Sequence, residues 1–178
     1  SSEKRLRDSV RESRDRARKI EEDHRRLVEE WERLVKRSEE EVRKSVEESR
    51  EEVEKAKKEG RLREELRKEL EDVNEKLKKD IKRSKEEVKK VIDRSRESVK
   101  TLLDRLEKMN RDLEELLRNN SDTDKVLEDH KRLVEKILKE AEDNLRRSRK
   151  MIREDEERNR DLLRRHREVV KEVKRKVD

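Results

Sequence analysis

Only two places in this 178-residue chain can interrupt a helix, and nothing else limits its fold so strongly. There is no proline, and Gly60 is the single glycine. The other break is the polar run Asn119-Asn120-Ser121-Asp122-Thr123. Gly60 can adopt the left-handed conformation that ends a helix cleanly, and Lys55, Lys57 and Lys58 just before it suit a helix C-terminus. Ser121, Asp122 or Thr123 can cap the next helix, whose far end carries Lys174, Arg175 and Lys176. The chain is therefore expected to be a single domain, 1–178, of three helices at about 2–58, 61–118 and 122–177, each roughly 80 Å long.

A 61% content of charged residues against 26% hydrophobic would by itself suggest disorder. The apolar residues are too periodic for that. Along the first helix the stripe runs Leu6, Val10, Ser13, Ala17, Ile20, His24, Val28, Trp31, Val35, Ser38, Val42, Ser45, Ser49, Val53, Ala56. Steps of three and four alternate, as one buried helix face requires. Fourteen steps from Leu6 to Ala56 average about 3.57 residues, between the supercoiled 3.5 and the straight 3.6. The expected fold is all-α, an up-down-up antiparallel bundle, nearly straight or weakly left-handed.

The register can be tested by arithmetic. If the second helix returns along the first, the numbers of paired positions share a constant sum. Val53 with Leu66, Ser49 with Leu70, Val42 with Leu77, His24 with Ser95 and Leu6 with Leu113 all give 119. Between the second and third helices, Leu113 with Leu127, Asn110 with His130, Val99 with Ala141 and Leu70 with Val170 all give 240. Short turns between neighbouring antiparallel helices produce this pattern.

The same arithmetic places each histidine level with one serine and one asparagine: His24/Ser95/Asn144, Ser9/Asn110/His130 and Ser45/Asn74/His166. Apolar levels flank these. Grouped with partners, buried polar side chains cost little, yet they penalise misaligned helices, as a buried asparagine does in a coiled coil. A fourth, weaker cluster comprises Ser38, Ser84, Asp155 and Asn159, while Ser13, Ser49 and Ser148 read as small fillers or partly exposed positions. Trp31 reads as core filler.

Chemistry finds little support. The His24 and His130 levels lie about 22 Å apart at helical rise, so the histidines do not converge on a metal. There is no cysteine, and one glycine cannot build a phosphate-binding or oxyanion loop. Neither a cofactor nor an enzymatic activity is expected. The net charge of +6 is spread: the first sixty residues hold 19 basic and 19 acidic, and the two following stretches hold 19 and 16 each. A nucleic-acid binder would concentrate its basic residues on one face. Charges interrupt every apolar pair, so no membrane span or signal segment is read, and a soluble, cytoplasmic protein is expected.

With its equal helices, minimal turns, Glu/Lys/Arg-saturated surface and layers such as His24/Ser95/Asn144, the whole chain resembles de novo designed helical bundles with modular buried hydrogen-bond networks. It departs from them in having no glutamine. The resemblance implies a scaffold, or a component of a programmed homo- or hetero-oligomer. Adjacent apolar pairs, among them Leu27-Val28, Leu133-Val134 and Leu162-Leu163, widen the stripe and raise a second reading: an association module for a fourth helix or a second copy. A BAR-type membrane-bending domain also has three long helices, but it needs a concave basic face.

Overall fold

The computed structural model describes residues 2–119 and 123–177. They form α1 (Ser2–Lys58), α2 (Glu64–Arg118) and α3 (Thr123–Val177), and the fold is an all-α bundle. Asn120, Ser121 and Asp122, two of them capping candidates, lie outside the described residues.

The first turn corrects one expected boundary: α2 starts at Glu64, not at 61. The reason is the way α1 ends. Gly60 sits at φ 70°, its N–H donates to the Lys57 carbonyl (3.2 Å), and Arg61 N–H donates to Ala56 O (2.9 Å). This is the Schellman arrangement, which satisfies the last carbonyls of α1 and turns the chain aside. Residues 61–63 complete the reversal. The Arg63 carbonyl then accepts from the N–H groups of Leu66 and Arg67 (3.1 Å each), and Glu64 and Glu65 place negative charge in the first turn.

The chain forms two compact units, and each takes a segment of every helix. The first comprises Ser1–Glu29 and Val91–Lys150; the second comprises Glu30–Lys90 and Met151–Asp178. Within the first, Ser13 bonds Asn110 whereas His24 lies against Ser95, so α1 and α2 run antiparallel there. In the second, Ser49 bonds Asn74 and Lys85 reaches Glu39, with the same sense.

Apolar clusters lie within each unit. In the first unit, one contains Leu6, Val10, Leu113 and Leu127, and another is centred on Ile20, Leu106, Ile137, Leu138 and Ala141. In the second, one contains Val42, Val46, Leu77, Ile81 and Leu163, and another Leu66, Leu70 and Val173. Most of the paired apolar positions are absorbed this way. Leu27 and Val28 are both buried, and Leu162, Val169 and Val170 pack at the core edges. Leu116 and Leu133 are the large apolar side chains left exposed among the described residues, at 41% and 50%.

Surface ion pairs lace the helices. Most are local, such as Arg67 to Glu71 at 2.6 Å. A few join neighbouring helices: in the first unit Arg14 reaches Glu107 and Glu114, and Arg16 reaches Glu135 and Glu142. Exposed pairs of this kind contribute little, about 0–1 kcal/mol each, so the apolar clusters carry the stability.

Candidate functional site: buried serine, asparagine and histidine networks

The second unit holds a chain of four polar side chains between the Val42/Leu77/Leu163 cluster and the Leu66/Leu70/Val173 cluster. Ser45 Oγ lies 2.9 Å from His166 Nδ1, and His166 Nε2 lies 2.7 Å from Asn74 Oδ1. Asn74 Nδ2 then donates to Ser49 Oγ at 3.1 Å. All four residues are buried. The bonds have one consistent direction. An amide oxygen only accepts, so His166 Nε2 must carry the proton, and the neutral ring's Nδ1 accepts from the Ser45 hydroxyl.

The first unit holds the related chain His130–Asn110–Ser13. His130 Nε2 lies 2.8 Å from Asn110 Oδ1, and Asn110 Nδ2 donates to Ser13 Oγ at 2.9 Å. Ser13 in turn donates to the Val10 carbonyl (2.8 Å). The level expected here contained Ser9; in the structure the serine that Asn110 binds is Ser13, and Ser9 is half-buried. Asn110 is fully buried, whereas His130 Nδ1 is buried without a partner.

The His24 level is also corrected. His24 Nε2 lies 3.3 Å from Ser95 Oγ, as expected. Asn144, however, donates to Ser98 (2.8 Å) and not to this pair, and its Oδ1 accepts from Arg147. Asn144 is half-buried, so its carbonyl oxygen reaches an exposed guanidinium more readily than a core partner.

In the fourth cluster Ser84 donates to Asp155, and Asn159 Nδ2 is 3.5 Å from the other Asp155 oxygen. Ser38 is half-buried and stays outside these bonds. It lines two clefts that flank Asp155, of about 150 and 340 Å3. Trp31 lines the smaller one. It is 7% exposed, and its indole Nε1 and the Asn159 Oδ1 are buried without partners.

Burial lowers the pKa of all three histidines below the usual imidazole value. For His24 the charge of Arg96 adds to burial, and for His166 that of Arg167 does. Burial thus favours the neutral ring, in which His166 Nε2 donates to Asn74 and Nδ1 accepts from Ser45. No group of three or more His, Asp or Glu side chains is placed to hold a metal ion among the described residues. None of the helices is long and apolar enough to cross a membrane among those residues.

Ser13 and Ser49, expected to be fillers or partly exposed, are buried network members. A signal for them does exist in the sequence. Thirty-six residues separate Ser13 from Ser49 and His130 from His166, and also, in the reverse direction, Asn110 from Asn74. That spacing is about ten helical turns, so equivalent residues recur on one helix face. The repeat extends to the packing. Leu6, Val10, Leu113 and Leu127 of one cluster correspond to Val42, Val46, Leu77 and Leu163 of another. Beyond the network, Leu106 and Ile137 correspond to Leu70 and Val173. Each unit thus carries the same order: apolar cluster, polar network, apolar cluster.

A comparison of the chain with protein-family models, curated proteins and solved structures finds no match.

Proposed function

We propose that this chain is a structural scaffold, of designed origin, in which the buried Ser/Asn/His networks set helix register and pairing specificity. The observation that carries this reading is the Ser45–His166–Asn74–Ser49 chain, which draws residues from all three helices and pairs each of them at full burial. Any helix that is shifted or exchanged leaves those groups unpaired in an apolar setting, a penalty of about 1–3 kcal/mol per group. Correctly aligned, they cost little. The tight turn at Gly60 already limits large displacements of α1 against α2. The networks act on what the turn leaves free: rotations, one-turn slips and foreign helices. The designed origin is supported by the internal repeat, the uniform helices and the lack of matching proteins.

An association module, the second reading, calls for a continuous apolar stripe facing outward. Among the described residues, the exposed large apolar side chains are Leu116 and Leu133. The reading is structural and assigns no substrate, cofactor, nucleic acid or membrane.

The test is to replace the histidines and asparagines of the networks with leucine and their serines with alanine. The expected product remains helical and stable but loses its single structure, seen as multiplied or broadened amide resonances and mixed masses in light scattering. One sharp set of resonances and an unchanged mass would sink the proposal.

A further inference from the structure

The two related networks differ at one atom. In the second unit His166 uses both ring nitrogens, Nε2 toward Asn74 and Nδ1 toward Ser45. In the first, His130 Nε2 makes the same bond to Asn110, so its Nδ1 is likewise a bare acceptor. That atom is buried and has no partner. Buried polar atoms are nearly always paired, so a donor is to be sought nearby.

The repeat names one. Ser45 precedes the asparagine-binding Ser49 by one helical turn, and Ser9 precedes Ser13 by the same turn. The local sequences agree as well: Ser9-Val10-Arg11-Glu12-Ser13 against Ser45-Val46-Glu47-Glu48-Ser49. Val10 and Val46, the residues between, are both core residues. Ser9 is half-buried, and a serine hydroxyl reaches three staggered positions by rotation about one bond.

We infer that Ser9 is the fourth member of the first unit's network, its hydroxyl donating to His130 Nδ1 as Ser45 donates to His166 Nδ1. Each unit then contains one complete lock. In both, α1 presents a Ser-Val-x-x-Ser segment whose first hydroxyl binds the histidine of α3 and whose second binds the asparagine of α2. This rests on the reading of the networks as structural locks, but its test reads a single bond and not the specificity of the fold.

The experiment is imidazole nitrogen NMR of the full-length chain at neutral pH, with Ser9→Ala, Ser45→Ala and the hydroxyl-keeping Ser9→Thr. Ser45→Ala is expected to move the Nδ1 resonance of His166 and leave His130 in place. Ser9→Ala is expected to move the Nδ1 resonance of His130 in the same direction, by at least half as much, and to leave His166 in place. Ser9→Thr should return His130 most of the way. The inference is overturned if Ser9→Ala leaves His130 unmoved, or if threonine displaces it as far as alanine does. A silent Ser45→Ala overturns it too, because the template bond would then be absent.

Discussion

Asn74 is the residue through which the second unit's network is best tested, because it bonds in two directions at once. Replacing it with alanine leaves His166 Nε2–H, on a side chain 3% exposed, with no acceptor. A buried donor orphaned in this way costs about 2 kcal/mol, the middle of the usual range, and the lost bond to Ser49 adds about 1. Asn74→Ala is therefore expected to destabilise by roughly 3 kcal/mol, a fall of about 6–12 °C in melting temperature for a chain of this size. His166→Ala removes the same bond from the other side and orphans the Asn74 carbonyl. With both residues replaced, neither is left to be orphaned. The double variant should thus cost at least about 2 kcal/mol less than the sum of the singles, a coupling of the kind expected of bonded neighbours. Guanidinium denaturation followed by helical circular dichroism gives all the values, and an unchanged slope guards against the two units melting separately. Additivity within about 0.5 kcal/mol would refute the claim that these side chains act as one network.

Three further outcomes follow from the same structure. Since burial holds the three histidine pKa values below the unfolded value of about 6.5, the unfolded chain binds more protons as the pH falls through that value. Stability should be level above about pH 7 and decline from there toward the lowered folded values; denaturation midpoints that stay flat between pH 7 and pH 5 would contradict this. Gly60→Ala meets nothing within 4 Å, so its only cost is the left-handed backbone at φ 70°, about 1 kcal/mol, read as a small drop in the thermal midpoint. Leu138→Ala, at a fully buried position, should cost about 2–5 kcal/mol, whereas half-exposed Leu133→Ala should change stability by under about 1 kcal/mol in the same denaturation assay.

The sequence determined the helices, their breaks and their pairing. Without proline and with one glycine, every other stretch could remain helical, and a stripe recurring every three or four residues can be buried only against like stripes. The constant pairing sums followed because a helix rises by the same amount per residue, so two antiparallel helices joined by a short turn keep their levels aligned. Burial of the three histidines was legible for the same reason.

Which hydrogen bonds close was a matter for the tertiary structure. Level arithmetic resolves height along a bundle and says nothing of rotation about each helix axis. Ser9 and Ser13 differ by one turn, and so do Ser45 and Ser49; which of each pair meets the asparagine depends on how far its side chain leans along the helix. The structure gave Asn110 to Ser13 and Asn74 to Ser49. Rotation likewise decided that Asn144 meets Ser98 in place of Ser95, that Ser38 stands apart from Ser84 and Asp155, and that Leu133 faces outward while Leu138 is enclosed. A hydrogen bond tolerates only a few tenths of an ångström and a limited range of angles. Helical periodicity reaches the correct level, and side-chain packing around each axis selects the partner.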